Sequence, residues 1–333
     1  MNRLLRLVSD IKIVKIMNNS KFKIRPEWYS ADLVKNKDWE ITLSPEEKFY
    51  ITKELDNLIS NDLSPCSSLS ELNSLFDKIN NSVINEYGFL IVKKFPTPDS
   101  TYSTDIIRKF YLEFCRNLGV PLIQNKNHDY VFDVKSIKSV GDLNVRGPHI
   151  SGALPLHPDH GGLLGMYCLN SSDHGGHTLL ASTYTVHYEI EKFRPDLLKI
   201  LYQPFYGDRR GQEQDGALPY DINPIFAIKE DKLLCQYVGF YYFDAMKKFA
   251  NIPKLTQLQC EAIELFEQVC NRKDIQFEIK LQPGDIIFIN NNRVLHGRTE
   301  FHNQNNERHL LRIWLSTPKI KSFPHYYGYS MPN

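Results

Sequence analysis

A histidine and an aspartate lie two positions apart at His157 and Asp159, in the segment Leu-Pro-Leu-His-Pro-Asp-His-Gly-Gly of residues 154–162. On an extended chain, side chains two positions apart point to the same side, so both can reach one metal ion. A non-haem iron(II) oxygenase uses two histidines and one carboxylate on one face of the ion and leaves the opposite positions for co-substrate and oxygen. The pair would supply two of those three ligands.

The third ligand is expected from a distant strand. Residues 283–296 begin with a Pro-Gly turn signal, continue through a largely apolar run and end in His296. We predict a turn followed by one strand that ends at His296. The predicted metal ligands, which are also the predicted catalytic residues, are His157, Asp159 and His296.

Two arginines, Arg308 and Arg312, lie four positions apart in an otherwise apolar segment, so a strand would place them on one face. Buried arginines need anionic partners. The planar fork of Arg308 could grip the distal carboxylate of a dicarboxylate co-substrate, and Arg312 would face the substrate or the rest of that co-substrate. The alternative is pairing with acids of a neighbouring strand, but the order of the motifs along the chain favours the co-substrate.

Other histidines offer competing ligand sets, because His157 and His160 are three positions apart, as are His174 and His177. In a helix, either pair could chelate a metal ion or form part of a zinc site. Prolines disfavour a helix around the first pair, and the second pair lies in a glycine-rich turn. We interpret His160, His174 and His177 as loop residues that could contact substrate.

The elements that must position these residues change in type along the chain. Helical patterns occupy residues 45–59, 70–86 and 104–118, and the first begins with a Ser-Pro-Glu-Glu capping box. An apolar strand, residues 89–92, lies among them. Short apolar runs broken by turn signals follow at residues 163–169, 177–181, 225–228, 233–238, 277–281, 285–289 and 309–315, interrupted by helices at 185–202 and 257–271.

This order predicts an α+β fold: a double-stranded β-helix (jelly-roll) core with flanking helices and helical insertions, open at one end to a small-molecule site. We expect residues 1–30 to form a flexible tail and residues 31–333 a single domain. Six well-separated cysteines indicate reduced thiols, and the missing leader pattern indicates a cytoplasmic protein. With 40 basic against 39 acidic residues and no long apolar stretch, neither nucleic acid nor a membrane is an expected partner.

Residues 89–318 resemble the taurine dioxygenase (TauD/TfdA-like) family of Fe(II)/2-oxoglutarate oxygenases. The resemblance is carried by the motifs His-x-Asp, Gly-Gly-x-Thr, a distal His and Arg-x-x-x-Arg in family order, here at His157, Asp159, Gly175, Gly176, Thr178, His296, Arg308 and Arg312. It implies Fe(II) as cofactor, 2-oxoglutarate and O2 as co-substrates, and succinate and CO2 as products.

The same resemblance implies roles for single residues. Thr178 would hydrogen-bond the 2-oxoglutarate carboxylate that Arg308 holds, and Arg312 would contact 2-oxoglutarate or an acidic group of the substrate. Halogenating relatives lack the carboxylate found here at Asp159, so hydroxylation is the expected outcome, with desaturation or oxidative ring closure as alternatives.

The substrate is expected to be small and anionic or zwitterionic, such as an amino acid derivative bound by Arg312, Arg209 and Arg210. Arg209 and Arg210 could instead form an ion-pair loop with Asp208, and the aromatic residues 237–243 could pack in the core or line the pocket. Two rival functions are a jelly-roll metal-dependent hydrolase or isomerase, which would not need Arg308 and Thr178, and a non-catalytic binding module, in which the metal ligands would be damaged. Oligomeric state is left open.

Overall fold

The computed structural model describes residues 23–60, 68–125, 127–135, 151–211, 213, 216–303 and 307–321. Within these residues, two β-sheets face each other, as expected for the predicted jelly roll. The larger sheet runs in the order β1 (Glu40–Thr42), β2 (Phe89–Lys93), β14 (Ile286–Asn290), β6 (Leu163–Asn170), β17 (His309–Ser316) and β3 (Val120–Pro121), with β4 (Val131–Lys135) also paired to β17. The smaller sheet has the order β13 (Phe277–Ile279), β8 (Thr178–Ser182), β15 (Val294–Arg298) and β5 (Leu154–His157).

Three two-stranded pairs complete the described strands: β7 (His174–Gly175) with β16 (Phe301–His302), β9 (Phe205–Asp208) with β10 (Tyr220–Asn223), and β11 (Phe226–Lys229) with β12 (Lys232–Cys235). All strand pairs are antiparallel except β1 with β2. The helices are α1 (Ser30–Lys35), α2 (Pro45–Ser60), α3 (Asn73–Asn85), α4 (Thr104–Arg116), α5 (Thr183–Phe193), α6 (Pro195–Leu201), α7 (Gly239–Lys248) and α8 (Gln257–Cys270), with a 3-10 turn at Ser68–Leu72.

Apolar residues fill both faces of the larger sheet. Ile287 and Ile289 of β14 pack toward the smaller sheet, in a core shared with Leu180, whereas Phe288 packs with the outer helices and stacks on Phe114. A strand buried on both faces reads as a continuous apolar run, because neither set of alternate side chains meets water. The smaller sheet is covered on its outer face by α5, α6 and α8.

The predicted helices are observed, and their ends follow the predicted capping chemistry. Ser44 and Glu47 exchange hydrogen bonds at the start of α2, and Thr256 and Gln259 do so at the start of α8. Two helices were not predicted: α1, and α7, whose aromatic run was interpreted as core packing or pocket lining. Among the described residues, no helix is long and apolar enough to cross a membrane.

The strand that was predicted to end at His296 is in fact two strands in different sheets. β14 belongs to the larger sheet and β15 to the smaller one, with three residues between them. The run Asn290-Asn291-Asn292 makes this corner: Asn290 Nδ2 donates to the Val83 carbonyl and Asn291 Nδ2 to that of Gly161. Side-chain amides that bond the backbone replace ladder hydrogen bonds, so the chain can change sheets here.

The predicted boundary after residue 30 lies too far along the chain. Ile24 and Trp28 are buried, and Trp28 Nε1 donates to the Tyr87 carbonyl at 2.8 Å. Glu27 accepts from Arg293 Nε at 2.8 Å. Packed structure therefore begins before α1, while the predicted flexibility of residues 1–22 lies outside the described residues. The single domain over residues 31–333 stays a prediction.

Candidate active site

His157, Asp159 and His296 come together between the sheets. β5 ends at His157, β15 carries His296 directly opposite it, and Asp159 lies in the loop that follows β5. One ligand atom from each residue lies within 4.8 Å of the others. His296 Nε2 is 3.6 Å from Asp159 Oδ2, and His157 Nε2 is 4.0 Å from Asp159 Oδ1. His160, the competing histidine, is not part of the group.

The protonation states of His157 and Asp159 suit a divalent cation. His157 Nδ1 lies 2.8 Å from the Pro155 carbonyl, which accepts the Nδ1 proton and leaves the Nε2 lone pair on the side of Asp159. Burial, followed by the neighbouring His296, lowers the pKa of His157 to about 4. Burial alone would raise the pKa of Asp159, but Arg312 and the two histidines hold it well below its usual range. Two neutral imidazoles and one carboxylate are the ligands of a facial iron(II) site, whereas a closed structural zinc site uses four.

Arg312 has a partner that the sequence did not predict. Its Nη1 donates to both carboxylate oxygens of Asp159, at 3.0 and 3.3 Å, and its Nε donates to Gln124 Oε1 at 2.9 Å. The guanidinium group is buried and lies 4.4 Å from the centroid of the Trp314 ring. The structure therefore directs Arg312 at the metal-binding carboxylate, and its predicted role in substrate binding stays a prediction.

Gln124 is a positioning residue that sequence reasoning missed. Its Nε2 donates to the carbonyls of Tyr130 and Arg312, each at 2.8 Å, so its Oε1 is aimed at the Arg312 side chain. The backbone of Asp159 is fixed separately, because its N–H donates to Asn291 Oδ1 at 3.2 Å. Gln124 lies 188 residues before Arg312 in the chain, and no local pattern marks it.

Replacing Arg312 by methionine is expected to weaken Fe(II) binding about 10- to 100-fold, because groups that orient a metal ligand typically contribute this much affinity. Gln124→Leu should have a smaller effect in the same direction. Anaerobic Fe(II) titration measures both, with Arg194→Met, which removes an exposed ion pair with Asp196, as the control. Unchanged Fe(II) affinity in Arg312→Met, together with a raised KM for substrate, would instead support substrate binding by Arg312.

Thr178 and Arg308 are the residues predicted to bind the co-substrate. Both are buried, Thr178 at the start of β8 and Arg308 just before β17. Among the described residues, Nη1 of Arg308 is buried with no hydrogen-bond partner. Burial lowers the pKa of Arg308 to about 10. A buried guanidinium group with an unsatisfied N–H calls for an anionic ligand, so these residues fit the carboxylate of 2-oxoglutarate.

The Gly-Gly motif before Thr178 has a steric reason. Gly176 has a φ of +69°, and a Cβ at this position would lie 3.1 Å from Cδ and 3.2 Å from Nε of Arg308. Only glycine adopts this conformation easily and leaves room for the arginine. The motif therefore shapes the backbone against which Arg308 lies.

A cavity of about 450 Å³, counting the part open to solvent, lies beside the metal-binding group. Asp159 and His160 line one side, and the rest of its wall comes from Pro158, Phe205, Gly207, Asp221, Asn223, Gln236, Val238, Tyr241 and Tyr242. The aromatic segment 237–243 thus does both things that were considered for it: Tyr237 packs in the core, and Tyr241 lines the cavity. His174 and His177 stand apart from this cavity, with His177 Nδ1 paired to Glu278.

The predicted substrate clamp by Arg209 and Arg210 is not what the structure presents. Arg209 Nε donates to Asp221 Oδ1 at 2.8 Å, and Arg210 pairs with Asp244. Both guanidinium groups are thus bound to carboxylates. The cavity wall contains Asp221, and neither arginine lines it.

Fold and site together define a jelly-roll protein with a two-histidine, one-carboxylate centre and a buried arginine for an anionic co-substrate. The chain belongs to the TauD/TfdA family: the model of the "Taurine catabolism dioxygenase TauD, TfdA family" matches residues 55–314. That description names dioxygenases, and the three metal-binding residues with the buried Arg308 fit iron(II) and 2-oxoglutarate. This confirms the predicted family.

Two curated relatives are similar over part of their length. FR-33289 synthase of Streptomyces rubellomurinus is 28% identical over 218 residues, which are 62% of this chain and 63% of that protein. The taurine hydroxylase-like protein SAT17 of Stachybotrys chartarum is 31% identical over 190 residues, 56% of this chain and 48% of that protein. The matched part of this chain thus spans less than two-thirds of either relative.

Solved structures confirm the fold. An asparagine oxygenase in complex with Fe(II), 2S,3S-3-hydroxyasparagine and succinate has a TM-score of 0.65 at 14% identity, covering 84% of this chain and 94% of that one. The non-heme iron oxygenase OrfP in complex with Fe and alpha-ketoglutaric acid has a TM-score of 0.60 at 16% identity, covering 83% and 94%. At these identities the likeness concerns the fold alone.

Proposed function

We propose that this protein oxidises an unactivated C–H bond of a small amino-acid-type substrate, most simply by hydroxylation, with release of succinate and CO2. The observation that carries the proposal is the approach of His157, Asp159 and His296 to within 4.8 Å beside a cavity. Bound iron would supply the oxidising chemistry, which couples decarboxylation of 2-oxoglutarate to C–H oxidation by O2.

The residues of the chain would bind and orient the reactants. His157, Asp159 and His296 would hold the ion on one face, and Arg308 with Thr178 would anchor the distal carboxylate of the co-substrate. The remaining positions of the ion would then be open for the co-substrate's other end and for oxygen. The cavity wall would place one C–H bond of the substrate toward the ion, since positioning is the main contribution a protein makes to such chemistry.

Hydrogen-bond acceptors in the cavity wall favour a substrate with a donating group. Asp221 carries a carboxylate there, and Gln236 Oε1 is buried with no hydrogen-bond partner among the described residues. A protonated amine would donate to Gln236 Oε1, whereas a purely anionic group could not donate to it and would lie beside the Asp221 carboxylate, which Arg209 already binds. Of the two predicted classes, a zwitterion such as an amino acid or its derivative therefore fits better than a simple anion. The hydroxyasparagine and (3S)-hydroxy-L-Arg bound in solved relatives belong to the same class.

A succinate-release screen over amino acids, their N-substituted derivatives and the matching deaminated acids tests this proposal. We expect turnover of an amine-bearing compound and none of its deaminated counterpart. Stimulation by deaminated acids alone would contradict the proposed substrate class.

Replacing Gln236 by methionine removes the unpaired acceptor without breaking a side-chain hydrogen bond given by the structure. We expect KM for the best substrate of the screen to rise by roughly 2- to 12-fold, the equivalent of about 0.5–1.5 kcal/mol for one hydrogen bond. The Kd of 2-oxoglutarate should stay unchanged. A KM equal to that of the wild type would show that this acceptor does not contact substrate.

A further inference from the structure

Arg298 lies deep in the smaller sheet, close to the residues assigned to the co-substrate. It follows His296 by two positions on β15, so its side chain leaves the same face of the strand, toward the space between the sheets. Its backbone partner on β8 is Thr178. Arg298 is 5% exposed, which is rare for a charged side chain.

One aromatic ring joins Arg298 to Arg308. The guanidinium carbon of Arg298 lies 4.6 Å from the centroid of the Phe301 ring, and that of Arg308 lies 5.4 Å from it. Phe301 is itself buried at the start of β16. Both cations thus contact the same ring, which places them near each other.

The charge of Arg308 disfavours the charged form of Arg298. Burial, followed by the charge of Arg308, lowers the pKa of Arg298 to about 9. Arg298 Nη2 donates to the Gly152 carbonyl at 2.9 Å, which fixes the group in place without adding negative charge. A carboxylate set between the two guanidinium groups would offset their repulsion and accept hydrogen bonds from both.

We propose that Arg298 is a second arginine of the co-substrate site, and that it holds the distal carboxylate of 2-oxoglutarate together with Arg308 and Thr178. The inference rests on the proposed function and deepens it. Selection for a co-substrate with two carboxylates would then depend on two cations rather than one. A 2-oxo acid that lacks the distal carboxylate would gain nothing from Arg298.

The test compares two ligands on the Fe(II)-loaded protein without oxygen, by titration of the visible charge-transfer band. The ligands are 2-oxoglutarate and 2-oxopentanoate, which has the same chain length but no distal carboxylate. In Arg298→Met the Kd of 2-oxoglutarate should rise roughly 10- to 150-fold, as expected for a hydrogen bond to a charged group. The Kd of 2-oxopentanoate should change little. Arg293→Met, which removes an arginine paired with Glu27, is the matched control and should leave both Kd values unchanged.

Arg298→Lys keeps the charge and guards against a folding defect in the methionine variant. Its Kd for 2-oxoglutarate should lie between those of the wild type and Arg298→Met, because an ammonium group lacks the planar fork. An equal loss of affinity for both ligands, or an unchanged Kd for 2-oxoglutarate, would overturn the proposal. Absence of the band in the wild type would instead contradict the proposed function.

Discussion

Replacing His296 by alanine should abolish both the Fe(II)–2-oxoglutarate charge-transfer band and 2-oxoglutarate-dependent succinate formation. His296 supplies one of the two imidazoles of the metal-binding group, and its Nε2 lies 3.6 Å from Asp159 Oδ2. With one imidazole and one carboxylate left, the ion keeps two of its three protein ligands. Anaerobic absorption spectra and a succinate assay measure the two losses.

His160→Ala is the matched control for this experiment. His160 is next to Asp159 in sequence and lines the same cavity, but its ring packs edge-on against Trp314 at 5.1 Å and it is not in the metal-binding group. The variant should keep the band, whatever its effect on substrate. Loss of the band in His160→Ala with its retention in His296→Ala would exchange the roles of the two histidines.

Replacing Arg308 by methionine should weaken 2-oxoglutarate binding more than any other change outside the metal ligands. Truncating one partner of a buried, hydrogen-bonded charge pair costs about 2–5 kcal/mol, or roughly 30- to 5,000-fold in Kd. Fe(II) affinity should stay near that of the wild type, because Arg308 has no contact with the three ligands in the structure. Titration of the charge-transfer band with 2-oxoglutarate gives the Kd, and direct Fe(II) titration provides the internal control.

Thermal unfolding of Arg308→Met distinguishes a loss of 2-oxoglutarate affinity from a structural defect. Arg308 is buried with an unsatisfied N–H, so its replacement by an apolar side chain of similar length removes a desolvated charge rather than a paired one. We expect Tm of the protein without ligand to be unchanged or raised. A large fall in Tm together with wild-type affinity for 2-oxoglutarate would show that Arg308 has a structural role.

The sequence predicted the parts of the site that are local motifs. His157 and Asp159 are two positions apart, and Arg308 and Arg312 are four apart, so each pair stands out by its spacing, although Asp159 lies just after β5 and Arg308 just before β17. The capped helices were predictable for the same reason, since the signal at Ser44 lies within one turn of the helix that it starts.

Contacts across the two sheets could not be predicted in this way. Gln124 reaches Arg312 over 188 residues, and the relation of Arg298 to Arg308 depends on the packing of both around Phe301. The single predicted strand before His296 failed because an apolar run buried on both faces gives no sign of a change of sheet. Arg209 and Arg210 pair with Asp221 of a neighbouring strand and Asp244 of a neighbouring helix. The charge pattern of the loop that carries the two arginines does not reveal these partners.

The measurement that tests the account most directly is an oxygen-free titration of the wild-type protein with Fe(II), then with 2-oxoglutarate. We expect a weak visible charge-transfer band that saturates at one iron and one 2-oxoglutarate per chain, and that disappears with decay to succinate when air is admitted. A folded protein that binds no Fe(II), or that binds it without developing the band, would contradict the assignment of His157, Asp159 and His296 with Arg308 as the metal and co-substrate site.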